Sequence, residues 1–103
     1  MCIYNMYMAL KFTWDSKKAN ANVRKHKVNF SEAETVFYDD SALIIKDLNH
    51  SATEERFILL GMSINKKILL VIHCYRENDL VIRIISARKA SKSEQTQYYE
   101  RSL

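Results

Sequence analysis

The chain has 103 residues, 48% of them hydrophobic and 27% charged, with one glycine, no proline and a net charge of +4. That length fits one small domain with one core, and that balance is globular, which excludes a disordered, collagen-like or multidomain protein. No stretch approaches the roughly 20 apolar residues of a membrane span and no signal peptide is evident, so a cytoplasmic protein without membrane contact is expected.

Residues 1–7 are expected to form a frayed extension ahead of a single domain over residues 8–103, with Met8 as an alternative start. Leu10-Lys11-Phe12-Thr13-Trp14 alternates apolar and polar and reads as a short strand. Asp15 is a good N-cap for a polar helix from Ser16 to about His26, whose thin apolar stripe is Ala19 and Val23. Ser31-Glu32-Ala33-Glu34 reads as a capping box opening a short second helix with Ala33, Val36 and Phe37 on one face. The pattern then switches to strands at Ala42–Lys46, Glu55–Met62, Ile68–Tyr75 and Leu80–Ala87, joined by short polar turns that make antiparallel neighbours. Asp47–Ser51 is the first of those turns. Ser91-Lys92-Ser93-Glu94 is a second capping box, opening a terminal helix through Tyr98 and Tyr99. The expected class is α+β: two N-terminal helices, an antiparallel meander and a C-terminal helix, with helices covering at least part of one sheet face.

Charge is distributed in blocks. Residues 1–30 carry six Lys/Arg against one acid, residues 31–55 one against seven, and residues 56–103 nine against four. A fold that brings both basic blocks to one surface would attract a polyanion, while an ordinary solvated surface is the plainer account. Cys2 and Cys74 are read as reduced thiols. No close Cys/His pairs suggest a metal site, and one glycine excludes P-loop and Rossmann nucleotide binding. No carboxylate cluster suggests a two-metal nuclease and no nucleophile elbow is present. No cofactor is expected.

The residues with chemical potential are mostly cations. Arg83 stands in the middle of the strand Val81-Ile82-Arg83-Ile84-Ile85, where an unpaired charge would cost several kcal/mol if buried. It must answer a buried carboxylate or lie on an open sheet face. Arg88 and Lys89 follow at the strand's end, and two rigidly placed guanidiniums suit a planar anion or phosphate. Arg24-Lys25-His26-Lys27 ends the first helix, where cations complement the helix dipole and where a cluster this dense also makes a phosphate clamp. Glu55 and Arg56 open a strand on opposite faces, as a rim ion pair or as an anion ligand with its orienting acid. Arg76 sits at a hairpin turn. His73, between apolar strand residues, reads as a core histidine, and His50 lies in a polar turn. One ring of the Tyr98–Tyr99 pair is expected to pack on the sheet.

Read together, Trp14-Asp15, Lys18, Asn22-Val23-Arg24-Lys25-His26, Val28, Phe30, Ala33, Val36-Phe37, Asp47, His50-Ser51 and Glu55-Arg56 resemble the BrnT toxin family. Arg83-Ile84-Ile85-Ser86-Ala87-Arg88-Lys89-Ala90 with Glu94 and Tyr98 or Tyr99 completes the resemblance, which runs from about residue 11 to 100. It implies a RelE-like fold and a ribonuclease toxin of a type II toxin–antitoxin pair that inhibits translation. It also implies a BrnA-like ribbon-helix-helix antitoxin as partner, with operator DNA bound only through that antitoxin. Lys27 departs from the family's usual glycine after the histidine; lysine there costs up to about 1 kcal/mol or shifts the helix cap by one residue.

The mechanism expected from these residues is metal-independent RNA cleavage, with Arg83 and Arg88 stabilising the phosphoryl charge and Arg56 supporting them. Glu55 or His26 would serve as general base, with His50 a more distant candidate, and Arg24, Lys25, Arg76 and Lys89 would hold the RNA backbone. The alternative is a non-catalytic RNA- or protein-binding module with a basic docking face.

Overall fold

The computed structural model describes residues 10–47 and 55–102. The expected frayed extension and the turn containing His50 lie outside the described residues. In chain order the elements are β1 (Lys11–Thr13), α1 (Ser16–His26), α2 (Phe30–Thr35), a 3-10 turn (Val36–Tyr38), β2 (Leu43–Asp47), β3 (Arg56–Met62), β4 (Ile68–Arg76), β5 (Val81–Lys89) and α3 (Lys92–Ser102). Strands β2 to β5 form the expected antiparallel meander. The sheet as a whole is mixed rather than antiparallel, because β1 lies parallel to β5 and completes the order β1-β5-β4-β3-β2. Strand alternation alone does not reveal a neighbour so distant in sequence.

Local chemistry accounts for the helix starts. Asp15 caps α1, its Oδ2 accepting from the Lys18 N–H at 2.9 Å. The box at α3 closes in both directions: the Ser91 N–H donates to Glu94 Oε1 at 2.8 Å and the Glu94 N–H to Ser91 Oγ at 3.2 Å. The box expected at Ser31–Glu34 does not form. Helix α2 starts at Phe30 and is capped by Asn29, whose Oδ1 accepts from the Glu32 N–H at 2.7 Å. This start puts Phe30 and Ala33, three apart and therefore on one face, into the core. Glu32 is released to accept from the Ser63 hydroxyl at 2.7 Å.

Each face of the sheet has its own apolar layer. On one, Val28, Phe30, Ala33 and Val36 pack against Leu59, Leu69, Val71, Ile84 and Ala87, with Phe12, Trp14 and Phe37 at the margin. Burying each of the larger side chains contributes roughly 1.5–3 kcal/mol. Gly61 is required here, since a Cβ at that position would meet Ala42 Cβ and Val36 Cγ1 at 2.9 Å. On the other face, Tyr98 and Ala90 cover Leu60, Ile68 and Leu70, next to Leu43, Ile58, Met62 and Ile72. Tyr98 is buried and its hydroxyl donates to Asp39 Oδ2 at 2.7 Å, while Tyr99 stays exposed. Burial, then the Asp39 carboxylate, pushes the Tyr98 phenol up to about 12.

His73 is fully buried on the α2 side, ringed by Phe37, Phe57 and Tyr75 with centroids 4.8, 6.0 and 5.2 Å away. Burial lowers its pKa to about 4, so it is neutral at pH 7. It is a core residue, as its apolar neighbours in sequence suggest.

Candidate active site

The geometry of the site begins with an irregularity in β5. Ser86 pairs with Ile72 and Ile84 with His73, leaving Ile85 as an extra residue opposite that step. Arg83 and Arg88 are five positions apart, and an unbroken strand would point them to opposite faces. The bulge restores the phase. Arg83 pairs with Cys74 and Arg88 with Leu70, an even spacing on β4, so both arginines project from the face that α3 partly covers.

The same face carries further cations. Arg56 lies one step beyond the Phe57–His73 pair, level with Cys74 and hence with Arg83 across the sheet. Two strand spacings put their backbones about 10 Å apart, within reach of one phosphodiester for side chains of this length. Thr13 of β1 pairs with Arg83 from the other side. One alternation further out, Lys11 and Arg76 flank Val81. Arg83 is half-buried, and among the described residues no carboxylate pairs with it.

Arg88 is placed differently. Its Nη1 and Nη2 donate to Glu94 Oε1 and Oε2, each at 2.9 Å, in a bidentate pair tying β5 to α3. The hydrogen bonds to Arg88 hold the Glu94 carboxyl below the usual carboxylate range, and they raise the Arg88 pKa further.

The basic end of α1 is delivered to β5 by Asn22, which sequence reading passed over as a catalytic or binding residue. It is the buried residue of α1, whereas Val23, expected in the apolar stripe, is 42% exposed. Beyond Thr13 the strand β1 no longer pairs with β5, and the Asn22 carboxamide takes its place. Nδ2 donates to the Ala87 carbonyl at 2.8 Å and Oδ1 accepts from the Ala87 N–H at 3.1 Å. Nδ2 also donates to the Val28 carbonyl at 2.9 Å, fixing the chain as it leaves α1. An asparagine inside a helix otherwise rich in Lys and Ala was the available signal, since such a side chain usually prefers caps and turns.

A groove of about 190 Å³ runs along this joint, lined by Lys18, Ala21, Lys25, His26, Ile85 and Ser86. Lys25 and His26 thus meet β5 at the bulge, between Arg83 and Arg88. Lys27 is the C-cap, left-handed at φ 61°, its N–H donating to the Val23 carbonyl at 2.9 Å. The cap does not shift to avoid the lysine.

Two of the other expected site residues lie apart from this cluster. Arg24 is exposed on α1 outside the groove. Lys89 pairs with Leu69 and borders a separate recess with Lys66, Lys67, Gln95 and Tyr99. Glu55 and Arg76 share a cleft of about 450 Å³ with Phe57, Cys74, Tyr75 and Asp79 at the open end of the sheet. The turn there holds Glu77, Asn78 and Asp79 at φ 51°, 59° and 69°, three consecutive left-handed residues without a glycine. Cys74 is a buried thiol outside any disulfide. Among the described residues no group of three His, Cys, Asp or Glu side chains is placed to hold a metal ion, and no helix is long and apolar enough to cross a membrane.

Comparison with known proteins gives this arrangement a family. Residues 14–94 match the model of the ribonuclease toxin BrnT of type II toxin–antitoxin systems. The chain belongs to the BrnT family. The crystal structure of the Brucella abortus ribonuclease toxin BrnT is similar, with 26% identity and a TM-score of 0.63 over 81% of this chain and 99% of that one. No curated protein matches the sequence. The family assignment makes this chain a ribonuclease toxin of a toxin–antitoxin pair, with RNA as substrate and an antitoxin as partner. The matched segment contains α1, the bulged β5 and Glu94, so every residue of the joint described above lies inside it.

Proposed function

We propose that this chain is a metal-independent endoribonuclease of RelE-like architecture that inhibits translation in the cytoplasm. In this reading a BrnA-like ribbon-helix-helix antitoxin neutralises it, and operator DNA is reached only through that antitoxin. The observation that carries the chemical part is the strand register that sets Arg83 in one row with Arg56 and Thr13, while His26 and Lys25 border the bulge at Ile85.

The RNA backbone lies along this basic strip, and the 2′-hydroxyl attacks the adjacent phosphorus. The P–O5′ bond breaks as the leaving oxygen takes a proton from water, giving a cyclic phosphate and a 5′-hydroxyl. Negative charge grows on the non-bridging oxygens, and Arg83 with Arg56 stabilises that charge more than the ground state. Arg88, held by Glu94, is a positioning residue for the end of β5 rather than the principal anion ligand. Proton removal from the 2′-hydroxyl falls to His26 or Glu55, and the groove beside the bulge favours His26. Lys25 and Arg76 steer the backbone.

Incubation of RNA with the protein in excess EDTA tests the proposal, alongside an Arg83→Ala variant shown to be folded. Cleavage by the wild type that disappears in the variant supports it. Binding without cleavage, across several RNAs and with ribosomes present, rejects the nuclease mechanism in favour of a docking module.

A further inference from the structure

The outer edge of the sheet is built differently from the basic face. β2 is the last strand in the order, and among the described residues no strand pairs with its outer side. Its two central residues, Ile44 and Ile45, are 49% and 52% exposed. Ile44 pairs with Leu59 and Ile45 with Ile58, so they belong to opposite faces of the sheet. Edge strands are normally shielded by charge, proline, a bulge or extreme shortness. The centre of this one offers two β-branched apolar residues instead.

The alternation decides the shape of what covers it. A helix laid on one face would bury Ile44 or Ile45 and leave its neighbour in water. An added strand continues both faces at once and also satisfies the outward N–H and C=O groups of β2. Charge then narrows the chemistry. Residues 31–47 carry Glu32, Glu34, Asp39, Asp40 and Asp47 against Lys46 alone, a net of −4. A second copy pairing edge to edge would set two such acidic segments side by side, and RNA would be repelled.

We propose that β2 is a docking edge for an extended segment of the antitoxin, with apolar residues at alternate positions and Lys or Arg between them. The proposal rests on the antitoxin being this toxin's protein partner, and it places one of the partner's anchors on the edge strand beside Arg56, whose register partner on β2 is Asp47. The anchor holds the toxin by its edge strand while another part of the partner covers the cations.

Hydrogen exchange on the full chain, alone and with the product of the reading frame adjoining its gene, tests this. The outward amides of residues 43–47 exchange quickly in the free protein and become protected in the complex. Ile44→Lys/Ile45→Lys lowers affinity by about 100-fold while the fold and RNA cleavage without the partner are retained. Ile44→Thr/Ile45→Thr, which keeps strand propensity, gives a smaller loss of the same sign. The proposal is overturned if both variants bind as the wild type does, or if residues 43–47 are protected in the free chain, by RNA, or by self-association. A wild type that cleaves RNA yet forms no complex overturns it and leaves the nuclease reading standing. A wild type that neither cleaves nor binds removes the reading beneath it.

Discussion

The two ends of β5 carry the same side chain in different surroundings. At Arg88 the strand runs under α3, and Glu94 takes both terminal nitrogens of the guanidinium at 2.9 Å. At Arg83 no described carboxylate answers the guanidinium, with Thr13 and Cys74 as register partners and Arg56 one strand further on. One arginine therefore fastens a helix, and the other has no described carboxylate to fasten. A single extra residue, Ile85, separates the two situations and keeps them on one face. Identical side chains thus meet different partners according to what packs above them.

The largest expected difference between the ends is in catalysis. Arg83→Ala is expected to lower kcat/KM for RNA about 100- to 1,000-fold with the melting temperature nearly unchanged. Arg88→Ala should cost at most about tenfold and lower the melting temperature instead. Steady-state cleavage and thermal melts on both variants reverse the comparison if the ranking is opposite.

Asn22→Ala tests what joins α1 to the bulged strand. It leaves the buried Ala87 N–H and the Ala87 and Val28 carbonyls without the carboxamide, a loss of about 2–4 kcal/mol in denaturant unfolding. Cleavage should fall as well, because Lys25 and His26 lose their position beside Ile85.

On the α2 side of the sheet, His73 makes stability depend on pH. Its folded pKa of about 4 lies below the ordinary value, so the unfolded chain binds the extra proton first as pH falls. Stability is full above about pH 6.5 and declines by about 3 kcal/mol by pH 4. Urea melts of His73→Phe, which preserves a ring among Phe37, Phe57 and Tyr75, should show a flatter profile over that window.

The Arg88–Glu94 pair is partly solvated, with 40% and 24% of the side chains exposed. Glu94→Gln should therefore cost only about 1 kcal/mol. Because the folded Glu94 pKa is depressed, the pair's contribution is present above the unfolded carboxyl pKa and is lost as pH falls through the folded one. In Glu94→Gln this acid-side loss should disappear. The smallest effect has the opposite sign: Lys27→Gly relieves the left-handed C-cap at φ 61° and should stabilise by at most about 1 kcal/mol in the same melts.

Local patterns in the sequence carried much of this. The Asp15 cap, the Ser91–Glu94 box and the four-strand meander depend on neighbours a few residues apart, and each formed as read. At Ser31 two capping solutions competed, and burial of Phe30 selected the other one. The site was legible as a set of cations but not as an arrangement. Arg83, Arg56, Lys25 and His26 could be named from their settings. Arg24 and Lys89 could be named just as easily, yet they lie elsewhere.

The sequence by itself determined the class of the domain, its basic character and its membership of the BrnT family, because helix caps, alternation and motif order are written along the chain. Only the tertiary structure decided that Arg88 is bound by Glu94, that Arg83 stands in one row with Arg56 and Thr13, and that α1 reaches β5 through Asn22. Those outcomes depend on strand register and on contacts across 65 residues of chain. A bulge of one residue changes the register, and no local propensity announces it.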